Sequence, residues 1–198
     1  MAHELRDRLV AMGSEQAQAF HDILHVYEGL ADRYGLWDAA NIMMEWCSDD
    51  GFIDFRAWLI AQGKEVYLSA LKDPDTLADI EPYGNCCFES LSYVGDDAYR
   101  QLTGQNAYEN ADPAARKKWK AILGADIVYR EDICFPRPRR ALPAAYPRLC
   151  AKYGGAERFD TDDIGWNTGS KDVRSLLERG KEYDLEKKLS QKKGGEGR

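Results

Sequence analysis

Apolar residues recur at the spacing of an α-helix through most of the first hundred residues. One apolar stripe follows a period near 3.6 residues and consists of Phe20, Ile23, Leu24, Tyr27, Leu30, Ala31 and Tyr34. It predicts a helix from Ser14, which can cap it, to Tyr34, with Gly35 as the C-terminal stop. A shorter helix is predicted before it, from Glu4 to Met12, ended by Gly13.

The next segment, Leu36 to Trp46, is apolar on nearly every side of a helix. Its polar positions are Asp38, Asn41 and Glu45. A helix that is apolar nearly all round is buried on most sides, so this predicted third helix is the expected centre of the core. It leads directly into Asp49 and Asp50 and would hold them on a rigid element.

A long helix is predicted from about Gly51 to Leu71. Its apolar face consists of Phe52, Phe55, Leu59, Val66 and Ala70, with Ile60 and Tyr67 on the flank. Ser48, Asp49 or Asp50 can cap its first turn. Gly63 lies on the apolar face, where a glycine weakens a helix, and is predicted to mark a close approach by a neighbouring element.

Helical spacing returns between Cys86 and Thr103, closed by Gly104. This period and the short connections predict a mainly α-helical fold, with an antiparallel bundle over residues 4–104. Residues 112–190 are predicted to form a helical, partly irregular extension, and residues 191–198 a disordered tail. The predicted parts of the extension are a helix from Asp112-Pro113 to Leu123, an extended segment over 126–135, a helix from Leu142 to Tyr153 and a last helix ending near Leu189.

The chain is acidic. It has 198 residues and a net charge of −7, of which the twelve residues from Lys187 to Arg198 carry +4, so the rest carries −11. Nonspecific nucleic-acid binding needs a positive surface, so we expect no nucleic-acid partner. No apolar run approaches the length of a membrane span and the N-terminus lacks a signal pattern. We therefore expect a cytoplasmic protein without a membrane partner.

We expect no cofactor and no metal. The five cysteines have no zinc-site or C-x-x-C spacing and are predicted to be free, mostly buried thiols. A polar row on the second helix could ligate a metal, but such a row is also typical of a surface helix, which we favour. The row consists of His21, His25, Glu28 and Asp32.

Two charged segments follow in the second half. The basic stretch from Pro136 to Arg140 could bind an acidic partner or a phosphate; we favour pairing of its arginines with the protein's own carboxylates. Asp160, Asp162 and Asp163 lack the spacing of an EF-hand and are predicted to form a solvated loop.

The segment from Cys47 to Ile60 is the strongest candidate for chemistry, with three aspartates, one arginine and three aromatic residues. On a helical wheel Arg56 falls inside the apolar face, where an unpaired charge is costly. We therefore predict an ion pair between Arg56 and Asp49 or Asp50. The pair is either a structural lock at the helix start or a polar ligand site. Candidate ligand contacts beside it are Trp46, Asp54 and Trp58.

The same segment carries a resemblance to a known family. Together with Gly35-Leu36-Trp37-Asp38-Ala39-Ala40, Tyr67 and Leu71 to Leu77, it resembles an uncharacterised bacterial family of domains of unknown function. In some bacterial proteins that domain is found beside a Trp-Gly-Arg (WGR) domain. The resemblance covers roughly residues 4–104 and implies the fold family, without an activity, substrate or cofactor.

Two functions from different classes are consistent with the sequence. The leading hypothesis is a binding module that recognises a protein or peptide partner through an acidic surface, because the body is acidic and no catalytic signature is found. The alternative is a small enzyme in which Asp49 or Asp50 is the general acid/base and Arg56 an anion clamp.

Overall fold

The computed structural model describes residues 1–130 and 137–162 and three isolated positions, 178, 180 and 181. Within these residues the regular structure is helical. The α-helices are α1 (Ala2–Met12), α2 (Ser14–Leu30), α3 (Tyr34–Met44), α4 (Asp49–Ala61), α5 (Lys64–Lys72), α6 (Glu89–Thr103), α7 (Pro113–Gly124), α8 (Leu142–Ala145) and α9 (Pro147–Tyr153). Short 3-10 helices span Pro74–Asp79, Gly84–Cys86, Arg139–Ala141 and Ala156–Phe159. The prediction of a mainly α-helical fold is confirmed.

Two glycines with positive φ separate consecutive helices. Gly13 (φ 103°) lies between α1 and α2, as predicted. Gly63 (φ 94°) lies between α4 and α5, so the predicted helix over residues 51–71 is in fact two helices. A Cβ added at Gly63 would meet no atom within 4 Å. The predicted close approach is therefore wrong, and glycine serves there for its backbone conformation.

The end of α2 also differs from the prediction. The helix ends at Leu30, and the chain passes through an extended Arg33 (φ −138°) before α3 begins at Tyr34. An extended residue cannot continue the helical hydrogen-bond ladder. Gly35 is consequently a buried residue inside α3 and does not stop α2.

α3 lies in the main core, as its apolar pattern predicts. Nearly all its residues from Gly35 to Met43 are buried, and they pack in one cluster with Phe52, Phe55 and Trp58 of α4. Phe52 stacks on Trp37 of α3, with ring centroids 4.9 Å apart. The Ser48 hydroxyl accepts from the Gly51 N–H at 3.0 Å, which confirms the predicted cap of α4.

The second half of the chain contacts the first through the start of α9. The buried Asp75 carboxylate accepts hydrogen bonds from the backbone N–H groups of Arg148 and Leu149, at 3.1 and 2.9 Å. These N–H groups have no partner within the helix. Asp75 thereby attaches α9 to the 3-10 helix that follows α5.

Several predictions for the second half have only a partial outcome. The predicted helix over 142–153 is two helices, α8 and α9, with Pro147 as the first residue of α9. Residues 126–130 have no regular structure. Residues 131–136, Asp163, most of the last predicted helix and the tail from 191 lie outside the described residues. The boundary between residues 104 and 112 stays a prediction.

The described part of the predicted basic stretch contacts the protein itself. Arg140 pairs with Asp162 at 2.6 Å, as the favoured interpretation predicts. Arg139 donates to the carbonyl oxygen of Glu45 at 2.7 Å, a contact with the end of α3. Among the described helices, none is both long and apolar enough to cross a membrane.

Candidate functional site

Arg56 joins α4 to the C-terminal part of α2. Its Nη1 donates to the Glu28 carbonyl oxygen at 3.0 Å, and its Nε donates to the Phe52 carbonyl oxygen at 3.3 Å. Its carboxylate contact is Asp32, at 3.9 Å. The guanidinium is satisfied mainly by main-chain carbonyls, so burial of its stem leaves no unpaired charge.

The predicted pairing of Arg56 with Asp49 or Asp50 is wrong. Both aspartates are exposed in the first turn of α4, about two turns before Arg56. The Glu28 carbonyl oxygen of α2 lies within hydrogen-bond distance of the guanidinium because α2 packs alongside α4. Arg56 therefore does act as a contact between elements, but its partner is α2. A catalytic role for these three residues stays a hypothesis.

The three predicted ligand contacts lie in different environments. Trp46 precedes α4 and is 57% exposed, whereas Trp58 is fully enclosed in the core. Asp54 is half-buried on α4. Of the three, Trp46 and Asp54 are therefore reachable from solvent, and Trp58 contributes to packing.

Four carboxylates from three helices are near enough to interact electrostatically at Asp54. They are Glu28 on α2, Asp50 and Asp54 on α4, and Glu89 at the start of α6. The Phe88 N–H donates to the Asp54 carbonyl oxygen at 3.1 Å, which holds the start of α6 against α4. Partial burial raises the pKa of the Asp54 carboxyl, and the charges of Glu89, Asp50 and Glu28 raise it further. We call these four residues the acidic face.

Among the described residues, no lysine or arginine forms an ion pair with any of the four carboxylates of the acidic face; Nδ1 of His25 lies 3.9 Å from Oε2 of Glu28. Some carboxylates elsewhere form ion pairs. Such pairs are Asp22 with Arg116, Asp73 with Arg130, Asp79 with Arg148, Glu81 with Lys152 and Asp126 with Lys64. Like charges grouped without a counter-ion create a potential that attracts cations.

Two tyrosines lie beside the acidic face. Tyr93 is 46% exposed and follows Glu89 by one turn of α6. The charge of Glu89 raises the pKa of its hydroxyl. Tyr108 is 44% exposed, and partial burial together with the charges of Asp96 and Glu28 raises the pKa of its hydroxyl. Aromatic ring faces attract cations, so both rings add to the preference of this surface for positive charge.

Glu28 is the most enclosed member of the acidic face, at 8% exposed. The Ser92 hydroxyl donates to its Oε1 at 2.8 Å. Its Oε2 lies 3.9 Å from Nδ1 of His25, and that nitrogen is itself 3.0 Å from the His21 carbonyl oxygen. Within the described residues, Oε2 therefore accepts no hydrogen bond.

The polar row on α2 is not the solvated surface that we favoured. His21 is fully buried, with its ring centroid 4.2 Å from that of His25 and 4.4 Å from that of Tyr108. Burial, and then the charge of His25, lowers the pKa of His21 to about 4. The prediction of a surface row is thus wrong for His21 and Glu28. Across residues 1–130 and 137–162, no group of three His, Cys, Asp or Glu side chains could hold a metal ion.

Close packing of α2 on α6 explains why these polar groups are buried. A Cβ added at Gly95 would lie 2.8 Å from Cβ of His21. Gly95 thus allows the two helices to approach, which places Ser92 against Glu28. Sequence reasoning missed this contact, although a glycine inside the helical pattern of residues 86–103 was a signal for it.

A separate apolar pocket of about 280 Å³ lies between α1, α2, α4 and α6. Its lining residues are Met1, Ala2, Leu5, Phe20, Ile23, Leu24, Tyr27, Ile60, Ala61, Phe88 and Leu91. No charged side chain lines it, so it offers space mainly for an apolar group.

The described cysteines are free and mostly buried, as predicted. Burial raises the pKa of the thiols of Cys47, Cys86 and Cys150 to about 12, 11 and 12. Thiols with such values are protonated and weakly nucleophilic at neutral pH. Cys134 lies outside the described residues.

Comparison with known proteins finds a family match over the first half of the chain. A family model described as "Protein of unknown function (DUF4240)" matches residues 1–101. This range contains α1 to α5, most of α6 and all four residues of the acidic face. No curated protein and no solved structure matches the chain.

Proposed function

We propose, for a chain that belongs to the DUF4240 family of proteins of unknown function, that the acidic face binds a basic segment of a protein or peptide partner. The family description assigns no activity, so the proposal rests on the chain's own geometry. One observation carries it: the four carboxylates lie together without a lysine or arginine partner among the described residues.

A lysine- or arginine-containing segment supplies what this surface lacks. Its charges compensate the carboxylates and increase the rate of association, and its cationic groups can lie over the rings of Tyr93 and Tyr108. Trp46, 57% exposed before α4, is available as a further apolar contact. A cytoplasmic location, a bacterial origin and a neighbouring WGR domain remain expectations from the sequence.

The experiment is a binding titration of the full chain with a peptide of repeated Gly-Lys-Ser-Arg units. The face variant combines Asp50→Asn, Asp54→Asn and Glu89→Gln. We expect it to bind the peptide at least about tenfold more weakly than the wild type, because three charge contacts are lost. Wild-type binding should also weaken as salt is raised from about 0.05 to 0.5 M, since salt screens these charges.

A charge-matched control distinguishes the effect of losing the acidic face from the effect of losing net negative charge. The variant Glu15→Gln, Glu65→Gln and Asp160→Asn removes three exposed charges elsewhere. It should bind the peptide as the wild type does. Equal losses in the two triple variants would contradict the proposal, as would a wild type that fails to bind the peptide at low salt.

An enzyme that uses Asp49, Asp50 and Arg56 remains the second hypothesis. Arg56 contacts neither Asp49 nor Asp50, because its guanidinium binds to the Glu28 carbonyl of α2 and lies near Asp32. The binding function is therefore the better supported of the two.

A further inference from the structure

We infer that the apolar pocket between α1, α2, α4 and α6 receives a large apolar side chain, such as that of leucine, from the partner segment whose basic residues bind the acidic face. This inference rests on the proposed function of the acidic face and specifies the chemistry of its partner. It follows from the lining and the size of the pocket and from its position beside the carboxylates.

The lining of the pocket suits an apolar side chain. Its walls consist of apolar and aromatic side chains from four helices, and no charged side chain is among them. The pocket is partly open to solvent, so some of this apolar surface contacts water in the free protein. A partner side chain that fills the pocket removes that surface from water, and this transfer is favourable.

The volume of the pocket favours a side chain over a whole ligand. At about 280 Å³ it lies just below the range of roughly 300–1,000 Å³ that is typical of small-molecule sites. A side chain needs no polar contacts inside the pocket, because the acidic face holds the rest of its segment. Apolar anchors of this kind supply much of the affinity at protein interfaces.

The pocket borders the acidic face. Phe88 lines the pocket, Glu89 follows it directly, and the Phe88 N–H donates to the Asp54 carbonyl oxygen at 3.1 Å. Leu24 lines the pocket one helical turn before Glu28 on α2. A partner segment that binds these carboxylates is therefore close enough to reach the pocket. An apolar opening beside polar residues is typical of an interaction site.

The helix α4 sets the spacing between the charged contact and the apolar one. Ala61 lines the pocket and follows Asp54 by seven residues, on the same side of α4. At about 1.5 Å per residue the two positions are about 10 Å apart along the helix. An extended peptide covers this distance in about three residues. The partner's apolar residue is thus expected about three positions from a basic residue.

The test compares two N-acetylated peptides of equal charge, Leu-Gly-Gly-Lys-Ser-Arg and Ser-Gly-Gly-Lys-Ser-Arg. The full chain should bind the leucine peptide about tenfold more tightly, because the leucine side chain leaves water for the pocket. In Ala61→Phe a larger side chain at the pocket wall takes up this space. That variant should bind both peptides as weakly as the wild type binds the serine peptide.

Ala114→Phe is the matched control, because Ala114 is exposed at the start of α7. It should keep the preference for the leucine peptide. If Ala61→Phe does not fold, nuclear magnetic resonance of the wild type carries the test: the leucine peptide should shift the methyl signals of Leu5 and Leu24, and the serine peptide should not. Equal affinity of the wild type for the two peptides, an unchanged preference in Ala61→Phe, or unshifted methyl signals would overturn the inference.

Failure of the inference can be told from failure of the proposed function. Equal binding of both peptides that is lost in the face variant supports a basic partner and overturns the apolar anchor. The probe N-acetyl-leucinamide tests the pocket without any basic residue. If the wild type binds neither peptide but this probe shifts the methyl signals of Leu5 and Leu24, the proposed function is wrong and the pocket stands as an apolar site. No shift and no binding would contradict both.

Discussion

At the scale of single residues, burial decides the ionisation of two side chains. The His21 side chain of α2 is fully buried against α6 and the ring of Tyr108. Burial lowers the pKa of its imidazole to about 4. Asp38 is 1% exposed, and burial raises the pKa of its carboxyl to about 7. Both residues are therefore uncharged over part of the pH range in which their unfolded forms carry charge.

The His21 imidazole should make folding sensitive to acid. Its folded pKa of about 4 lies below the ordinary 6.5, so the unfolded chain binds a proton that the folded chain does not. Stability is then present above pH 6.5 and is lost as pH falls towards 4, by about 3 kcal/mol in all. Urea unfolding of the wild type at several pH values between 7 and 4 should show this slope, and His21→Gln should lack it.

His3→Gln provides the comparison, because His3 is exposed on α1 and is 74% accessible as a side chain. This variant should retain the wild-type slope. A His21→Gln protein whose stability falls with acid as steeply as the wild type would show that other groups cause the loss.

At the scale of helices, the approach of α2 and α6 depends on one glycine. A Cβ at Gly95 would lie 2.8 Å from Cβ and 2.9 Å from Cα of His21. Backbone atoms cannot move aside as a flexible side chain can, so the helices must separate. The contacts of Ser92 with Glu28 and of Tyr108 with His21 depend on the same approach.

Gly95→Ala should therefore destabilise the protein by about 1–3 kcal/mol, the usual effect of overpacking, although alanine favours a helix by about 1 kcal/mol over glycine. The measurement is the free energy of unfolding in urea. Gly29→Ala on α2 is the matched control, because a Cβ there meets nothing within 4 Å. That variant should be neutral or more stable. If Gly95→Ala were more stable than the wild type, α2 and α6 could separate without a loss of packing free energy, and the prediction would be wrong.

At the scale of the whole molecule, a buried hydrogen bond links the first hundred residues to the second half. The Tyr146 hydroxyl donates to Oδ2 of Asp38 at 3.0 Å, and Tyr146 is fully enclosed. Tyr146 and Leu149 belong to the same apolar cluster as Phe52 and Trp58. The main core is thus completed by residues that lie beyond residue 104.

Burial of the Asp38 carboxyl should make the folded protein less stable at alkaline pH. The Asp38 carboxyl has a folded pKa of about 7 against an ordinary 3.8, so the folded chain holds a proton that the unfolded chain releases. Its contribution is fully present below pH 3.8 and is lost as pH rises through 7, by up to about 4 kcal/mol. Asp38→Asn keeps an acceptor for Tyr146 and cannot ionise. Compared with the wild type, it should gain stability between pH 5 and pH 8.5 in thermal unfolding.

Asp97→Asn, an exposed change on α6, should follow the wild-type profile. If Asp38→Asn shows no relative gain at high pH, the Asp38 carboxyl does not remain protonated in the folded protein near neutrality.

Local patterns accounted for most of the secondary structure. The ends of α1 at Gly13 and of α6 at Gly104, the Ser48 cap and the Asp112-Pro113 start of α7 follow from residue types that satisfy helix ends. The break at Gly63 was missed because an apolar stripe continues through it. Periodicity indicates on which face of a helix a residue lies, but it does not indicate the backbone φ angle of that residue.

The candidate site was predicted only in part. Asp50 and Asp54 belong to the segment of residues 47–60 that the sequence singled out. Glu28 and Glu89 come from other helices, and the sequence did not connect them with that segment. The partner of Arg56 could not be predicted, because its acceptors are the main-chain carbonyls of Glu28 in α2 and Phe52 in α4, and every residue has such a carbonyl. The buried state of His21 depends on Gly95, more than seventy residues away in the chain.

The amino-acid sequence by itself determined that this protein is mainly helical, that α3 is the most apolar helix, and that the chain carries an excess of negative charge. These properties follow from local periodicity, capping and composition, which act within a few residues. Only the tertiary structure decided which carboxylates lie together, where Arg56 is directed and which polar groups are buried. Those outcomes depend on the distances between helices, and such distances are set by the packing of side chains that are far apart in the sequence.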